Sequence, residues 1–339
     1  MTAPPALVET TRGPIVEAIH RGDVAVVGTD GALLASVGDP RRKVTYWRSS
    51  AKPFQAMPLV YTGAADRFGL DAADLALCSA SHQGEPMHTE RALRILERIG
   101  CGPEDLRCGA HAPYDIATAD ALRASGRAPT ALHNNCSGKH AGMLVLARHL
   151  GAPLETYLEP DHPVQRTILA NVRLMTGVED IPTSVDGCGV PCFALPVDRM
   201  ALAFARLMVP DALDEPFAGA ARAIRDAMRA HPALVGGTGR FDTDLMREAK
   251  GRVLSKGGAS GVLCMGVDDG RGIALKVEDG AVTPGYARGV AGLEILSRLG
   301  VLDADARAAL ASHARPQIKN VAGRVVGEAR PAFSVSAPS

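Results

Sequence analysis

Aromatic side chains are scarce, at 4% of the chain, so there are few anchors from which a protein interface could be read. Net charge is missing too: Lys+Arg and Asp+Glu both number 37, and a balanced chain sets up no field to draw in nucleic acid or an anionic membrane. No segment supplies the ~20 uninterrupted apolar residues that a membrane span needs. Met1 to Gly13 has neither an apolar run of signal-peptide length nor leading positive charges. The cysteines do not pair off. Seven of them, at 78, 101, 108, 136, 188, 192 and 264, are odd in number and irregularly spaced, which favours thiols or metal ligands over a disulfide framework. These absences point to a cytoplasmic protein with a small-molecule partner, no nucleic acid and no membrane.

What is present is an ordinary globular balance, 46% hydrophobic and 22% charged, over 339 residues that can bury a full core without staples. Residues 14–37 read as a three-stranded meander: Pro14 to His20, a turn at Arg21-Gly22, Asp23 to Gly28, a turn at Thr29-Asp30-Gly31, then Ala32 to Val37. Helical signals take over near Ser50. Apolar periodicity predicts helices over 88–99, 139–150, 161–176 (with Asp161 as N-cap), 198–208 and 215–230. After Gly236 strands return, at 252–255 and in a hairpin of 261–267 and 272–277 around Asp268-Asp269-Gly270, followed by a helix over 285–299. The expected fold is α+β: one antiparallel sheet built from both chain ends (1–48 and 236–330), with 49–235 inserted as a helical lobe. The chain 1–339 is then a single catalytic unit with a frayed tail, 331–339.

Five runs carry reactive groups. Ser49-Ser50-Ala51-Lys52 places a serine three residues before a lysine at a helix start, one turn apart, where the amine can act as base for the hydroxyl. Alone, so short a pattern is better explained as a solvated helix start. Cys78 to Glu85 (CSASHQGE) packs small polar and titratable residues, Ser81 among them, behind an apolar stretch. His133 to His140 (HNNCSGKH) holds more polar residues than one helix cap needs, and its backbone N–H groups could bind a carboxylate or oxyanion. In Asp186 to Cys192 (DGCGVPC), Cys188 sits between two glycines. Cys136 and Cys188 could meet at a metal although their spacing matches no standard zinc finger, and the bland reading of each is a buried small hydrophobe. Finally, Gly236 to Thr243 contains Arg240, a possible bidentate clamp for a carboxylate, and Lys256-Gly257-Gly258 precedes a strand.

Taken together and in this order, WRSSAKPFQ, CSASHQGE, HNNCSGKHAGML, DGCGVP and KGGASGV resemble the rhizobial-type, zinc-containing L-asparaginases over nearly the whole chain. The resemblance implies a serine β-lactamase/glutaminase-like architecture, a homodimer, and two Ser–Lys pairs, Ser49 with Lys52 and Ser81 with Lys256. Lys256-Gly257-Gly258 stands where the β-lactamases carry Lys-Thr/Ser-Gly, so the threonine is absent. The implied zinc ligands are Cys136, Lys139 and Cys188 with water, one ion per chain in a structural or substrate-positioning role.

The expected reaction is hydrolysis of L-asparagine to L-aspartate and ammonia. Ser49 attacks after losing its proton through Lys52, Ser81 and Lys256 relay protons, and Ser81 as nucleophile stays open. Arg48, His140, Asp186 and Arg240 are the candidate substrate contacts, with Asp186 suited to an α-ammonium and Arg48 to an α-carboxylate. The rival readings are a hydrolase using zinc-bound water, a glutaminase or penicillin-recognising enzyme, and a non-catalytic amino-acid- or zinc-binding module.

Overall fold

A computed structural model of the chain describes residues 3–280 and 286–335. In chain order the strands are β1 (Ala6–Arg12), β2 (Ile15–Val27), β3 (Leu33–Val37), β4 (Val44–Tyr46), β5 (Thr183–Val185), β6 (Pro191–Pro196), β7 (Val253–Gly257), β8 (Val262–Val267), β9 (Gly272–Val277), β10 (Gln317–Lys319) and β11 (Val325–Pro331). The helices used below are α1 (Lys52–Tyr61), α2 (Ala72–Cys78), α3 (Pro86–Glu97), α4 (Ser137–Leu150), α5 (Pro163–Thr176), α6 (Val197–Met208), α7 (Phe217–Ala230) and α8 (Ala287–Arg298). Two compact units result, Met1–Ser50 with Ala194–Val209 and Asp244–Ser339, and Ala51–Phe193 with Pro210–Thr243. The fold is α+β. Among the described residues, no helix is long and apolar enough to cross a membrane.

The first unit is built on an antiparallel sheet in the order β10-β11-β1-β2-β9-β8-β7, with β3 also paired to β2. Both ends of the chain meet in it, since β1 pairs with β11 at Val8↔Pro331. Strands β7, β8 and β9 are buried along their whole length, as a sheet covered on both faces requires. A Cβ on Gly272 would sit 1.9 Å from Ala201 O of α6, and one on Gly292 of α8 would meet Leu263 of β8. Gly272 pairs with Gly266, and Gly266 and Leu263 lie on opposite faces by strand alternation, so α6 and α8 cover opposite faces.

The meander expectation needs correction. Residues 15–27 form one strand of 13 residues, and the turn lies earlier, at Gly13-Pro14, after a strand β1 that the sequence reading left out. Gly22 is not a turn glycine. A Cβ there would lie 2.1 Å from Lys276 O, so glycine is needed for the close approach of β9. Segment 194–209 also joins the sheet unit rather than the helical one. The start of the 285–299 helix and the last four residues of the tail fall outside the described residues. Residue 331 itself ends β11, and Ala332 N–H donates to Leu7 O.

In the helical unit α1 is buried from Lys52 to Leu59, and α4 from Ser137 to Ala147, with Lys52, Gln55, Ser137, Lys139 and His140 among the buried side chains. Pro58 sits inside α1 and has no N–H for the carbonyl of Phe54 four residues earlier. Asn171 of α5 donates its Nδ2 to that Phe54 oxygen at 2.8 Å, which satisfies the orphaned acceptor and ties α5 to α1. The α5 N-cap is His162, whose Nδ1 accepts Val164 N–H at 3.2 Å, and not Asp161.

Candidate active site

Lys52 opens α1 and is 1% exposed. Its Nζ donates to Ala80 O at 2.5 Å, Ser81 Oγ at 2.8 Å and Asn135 O at 3.3 Å. Three acceptors match the three protons of an ammonium. Ala80 and Ser81 follow the end of α2, which is held to the α3 region by buried Asp74 between Arg91 and Arg98. The backbone there is pinned: Ser81 N–H donates to Val235 O, and His82 N–H to Asn135 O.

Residue 138 must be glycine for this arrangement. A Cβ would lie 2.4 Å from Leu77 O, so α4 approaches the end of α2 closely enough to put Ala80 and Asn135 around one amine.

The 133–140 run spends its backbone donors internally. Asn134 N–H goes to Ala131 O, Asn135 N–H to His111 Nε2, Cys136 N–H to Asn134 Oδ1 and Ser137 N–H to Asn134 O. The expectation that these groups serve an oxyanion fails for those four. Asn134 also donates its Nδ2 to the carbonyls of Cys108 and Gly109. It therefore fixes the peptide between Asn135, whose oxygen accepts from Lys52, and Cys136.

His82, fully buried, accepts Gly84 N–H on Nδ1 and so donates Nε2–H to Ser137 Oγ at 3.0 Å. Burial first, then His88 and Lys52, hold it well below the ordinary histidine value. His88 stacks on it with centroids 4.7 Å apart.

Cys136, Lys139 and Cys188 come together and are each at most 5% exposed. Lys139 Nζ lies 2.8 Å from Cys188 Sγ, and Cys188 hydrogen-bonds Cys136. That bond, together with Lys52 and Lys139, depresses the Cys136 thiol well below its usual value against the opposing effect of burial. Cys78 and Cys108, by contrast, are pushed up by burial, Cys108 to about 11, and behave as inert core thiols. Burial alone would pull Lys139 down, but Cys188 and Cys136 outweigh it and raise it.

Among the described residues no three His, Cys, Asp or Glu side chains gather to hold a metal ion, so a metal here would need Lys139 as its third ligand. Two sulfurs and an amine suit a zinc-class cation once Lys139 and the Cys188 thiol give up their protons. Asp186 caps the adjoining 186–190 turn through Gly187 N–H and acts electrostatically on Lys139.

Arg240 lies on the 237–240 loop, which is exposed from Thr238 to Arg240. That loop is held by Glu85, which accepts Thr238 N–H and Oγ–H at 2.8 Å each. In the sheet unit, Arg48 has φ +54° and donates to Ser260 Oγ, itself at φ +56°. Ser49 is half-buried in the 48–51 turn, whereas Ser50 is fully buried and donates to Lys256 O at 2.7 Å. Lys256 Nζ donates to Gly257 O, and Arg288 to Gly258 O. Sequence reasoning missed Ser50, Glu85, Asn134 and Tyr157. Ser50, Glu85 and Asn134 carried a signal, as polar residues inside runs already marked, and Tyr157 carried none.

A family model described as L-asparaginase II matches residues 8–331. No curated protein sequence matches the chain. Among solved structures, a beta-lactamase from Mycobacterium bovis aligns with a TM-score of 0.41 at 13% identity, over 82% of this chain and 94% of that one. Two structures of the protein Mglu in its native form align with TM-scores of 0.37 and 0.35, at 19% and 16% identity. Both cover 89% of this chain, and 71% and 67% of their own. At such scores neither likeness bears on the chemistry.

Proposed function

Because the chain belongs to the L-asparaginase II family and is thereby an amidohydrolase of linear amides, we propose that it hydrolyses L-asparagine to L-aspartate and ammonia through Ser81 and Lys52. The observation that carries this reading is the 2.8 Å bond between the buried Lys52 amine and Ser81 Oγ. Lys52, having shed one proton, takes the hydroxyl proton as Ser81 Oγ attacks the side-chain amide carbon. The tetrahedral adduct collapses as Lys52 returns that proton to the departing nitrogen, leaving an acyl-Ser81 ester and ammonia. Water then attacks the ester, its proton passes through Lys52 to Ser81 Oγ, and aspartate leaves. Attack by Ser49, with Ser81 and Lys256 as relays, is the competing assignment. Ammonia release from L-asparagine and L-glutamine tests the function directly. Turnover of glutamine alone makes the enzyme a glutaminase, and turnover of neither alongside aspartate binding makes it a binding module.

The rhizobial-type reading adds zinc on Cys136, Lys139 and Cys188. The donor set supports it, and the ion, when bound, supplies a positive charge that can orient the substrate. Cys188→Ser is expected to weaken zinc binding by more than the ~10–100-fold that loss of an outer-shell partner costs, as measured by chelator competition, while Ser81→Ala leaves it unchanged. Chelation that leaves the fold intact should spare turnover. Its complete loss, restored by zinc, would favour attack by metal-bound water.

We also read the chain as a cytoplasmic homodimer. Seven free thiols suit a reducing compartment. Ile15, Val16 and Ile19 on β2 are 67%, 38% and 44% exposed, an apolar edge suited to a second copy. Sedimentation at micromolar protein is expected to give a dimer, and a monomer there rules the assembly out.

A further inference from the structure

His140 leaves an atom unaccounted for. It lies in the first turn of α4, one residue after Lys139, and is fully buried. Its Nδ1 is 2.7 Å from Tyr157 Oη, with the rings edge to face and their centroids 5.6 Å apart. Its Nε2 is buried and has no hydrogen-bond partner among the described residues.

The other end of the contact decides which nitrogen carries the proton. Tyr157 is itself completely buried, and its oxygen accepts the N–H of Arg107 at 2.9 Å. That donor occupies a lone pair, so the phenolic proton must point elsewhere, and His140 Nδ1 is the acceptor in reach. A neutral imidazole that accepts on Nδ1 carries its proton on Nε2. The orphan is therefore an N–H donor, and a buried N–H without an acceptor is costly enough that native proteins seldom keep one. His82 shows the contrast: it has the same tautomer and similar burial, but its Nε2–H reaches Ser137 Oγ.

We propose that Tyr157 is a positioning residue that locks His140 as the Nε2–H tautomer and so reserves a buried donor for a carboxylate oxygen of the amino-acid substrate. The ligand class follows from the donor and the proposed reaction: a neutral buried N–H needs an acceptor, and both L-asparagine and L-aspartate offer carboxylate oxygens. The proposal deepens the amidohydrolase reading and rests on it for the identity of the ligand. The tautomer itself does not depend on that reading.

The test uses the full-length protein labelled with 15N-histidine. Long-range 1H–15N spectra of wild type should show the His140 proton on Nε2, and titration with L-aspartate should move that resonance. Tyr157→Phe should release the tautomer, mixing in the Nδ1–H form, and raise KM for L-asparagine about tenfold with kcat nearly unchanged. Deleting an active-site donor outright costs more, ~10²–10³-fold. A proton on Nδ1 in wild type, a resonance indifferent to aspartate, or an unchanged KM in a folded Tyr157→Phe protein each overturns the proposal. If Tyr157→Phe does not fold, the wild-type spectra alone decide. If wild type hydrolyses neither asparagine nor glutamine, the enzymatic reading has failed, and the aspartate titration still judges the donor.

Discussion

Ser81→Ala is expected to abolish ammonia release from L-asparagine while leaving the protein folded. The fold should survive because Lys52 keeps two acceptors, the carbonyls of Ala80 and Asn135, when the hydroxyl is removed. Losing one hydrogen bond to a charged group costs about 1.5–3 kcal/mol, within the ~5–15 kcal/mol that a folded domain holds in reserve. The activity should not survive, because among the described residues no other hydroxyl is hydrogen-bonded to the Lys52 amine. The size of the loss assigns the role. A nucleophile removed from a Ser-dependent hydrolase costs on the order of 10⁶-fold in kcat, whereas a proton relay costs about 10²–10⁴-fold. Ser49→Ala assayed beside it completes the test, with mass spectrometry of rapidly quenched protein to find the acylated peptide. Loss of turnover in Ser49→Ala only, with acyl label on the 48–51 turn, would move the attack to Ser49 and leave Ser81 a spectator.

How much of this was legible in the sequence depended on the range of the interactions involved. The hairpin at Asp268-Asp269-Gly270 was readable because a turn signal and two apolar runs are all local, and β8 and β9 lie close to where they were expected. Strand β1 was not: it pairs with β2 across Gly13-Pro14 and with β11 more than 300 residues away, and neither its sequence (ALVETTR) nor that turn declares a strand by itself. Gly22 was misread for a related reason: glycine marks both turns and close backbone approach, and only the partner strand distinguishes them.

The site divides in the same way. Its residue types and runs were visible, but the 2.8 Å bond joins positions 29 residues apart, and pattern alone paired each lysine differently. Ser50 and Ser49 are adjacent and chemically identical, so only the turn at 48–51 decides that Ser50 is the one buried. Tyr157 lies in an irregular connection with no motif around it, and its meaning exists only once His140 and Arg107 N–H are in place.

Gly138→Ala sets two effects against each other, and their magnitudes predict the outcome. In a helix, alanine is favoured over glycine by about 1 kcal/mol, so propensity alone says the variant is more stable. The new methyl, however, would sit 2.4 Å from Leu77 O and 2.9 Å from its carbonyl carbon. Both are backbone atoms that cannot swing aside, so α4 must retreat from α2 by roughly 1 Å to reach ordinary contact, and such overpacking typically costs ~1–3 kcal/mol. The net expectation is destabilisation, read as a lower denaturant midpoint. The effect on catalysis should be larger. Two of the three acceptors of Lys52 follow α2 and the third, Asn135 O, precedes α4, so the retreat pulls the set apart at its weakest bond, the one of 3.3 Å. A displacement of about 1 Å can cost ~10²-fold, and kcat/KM for L-asparagine should fall by about that factor. A Gly138→Ala protein as stable and as active as wild type would mean that the close approach of these two helices does not hold the amine in place.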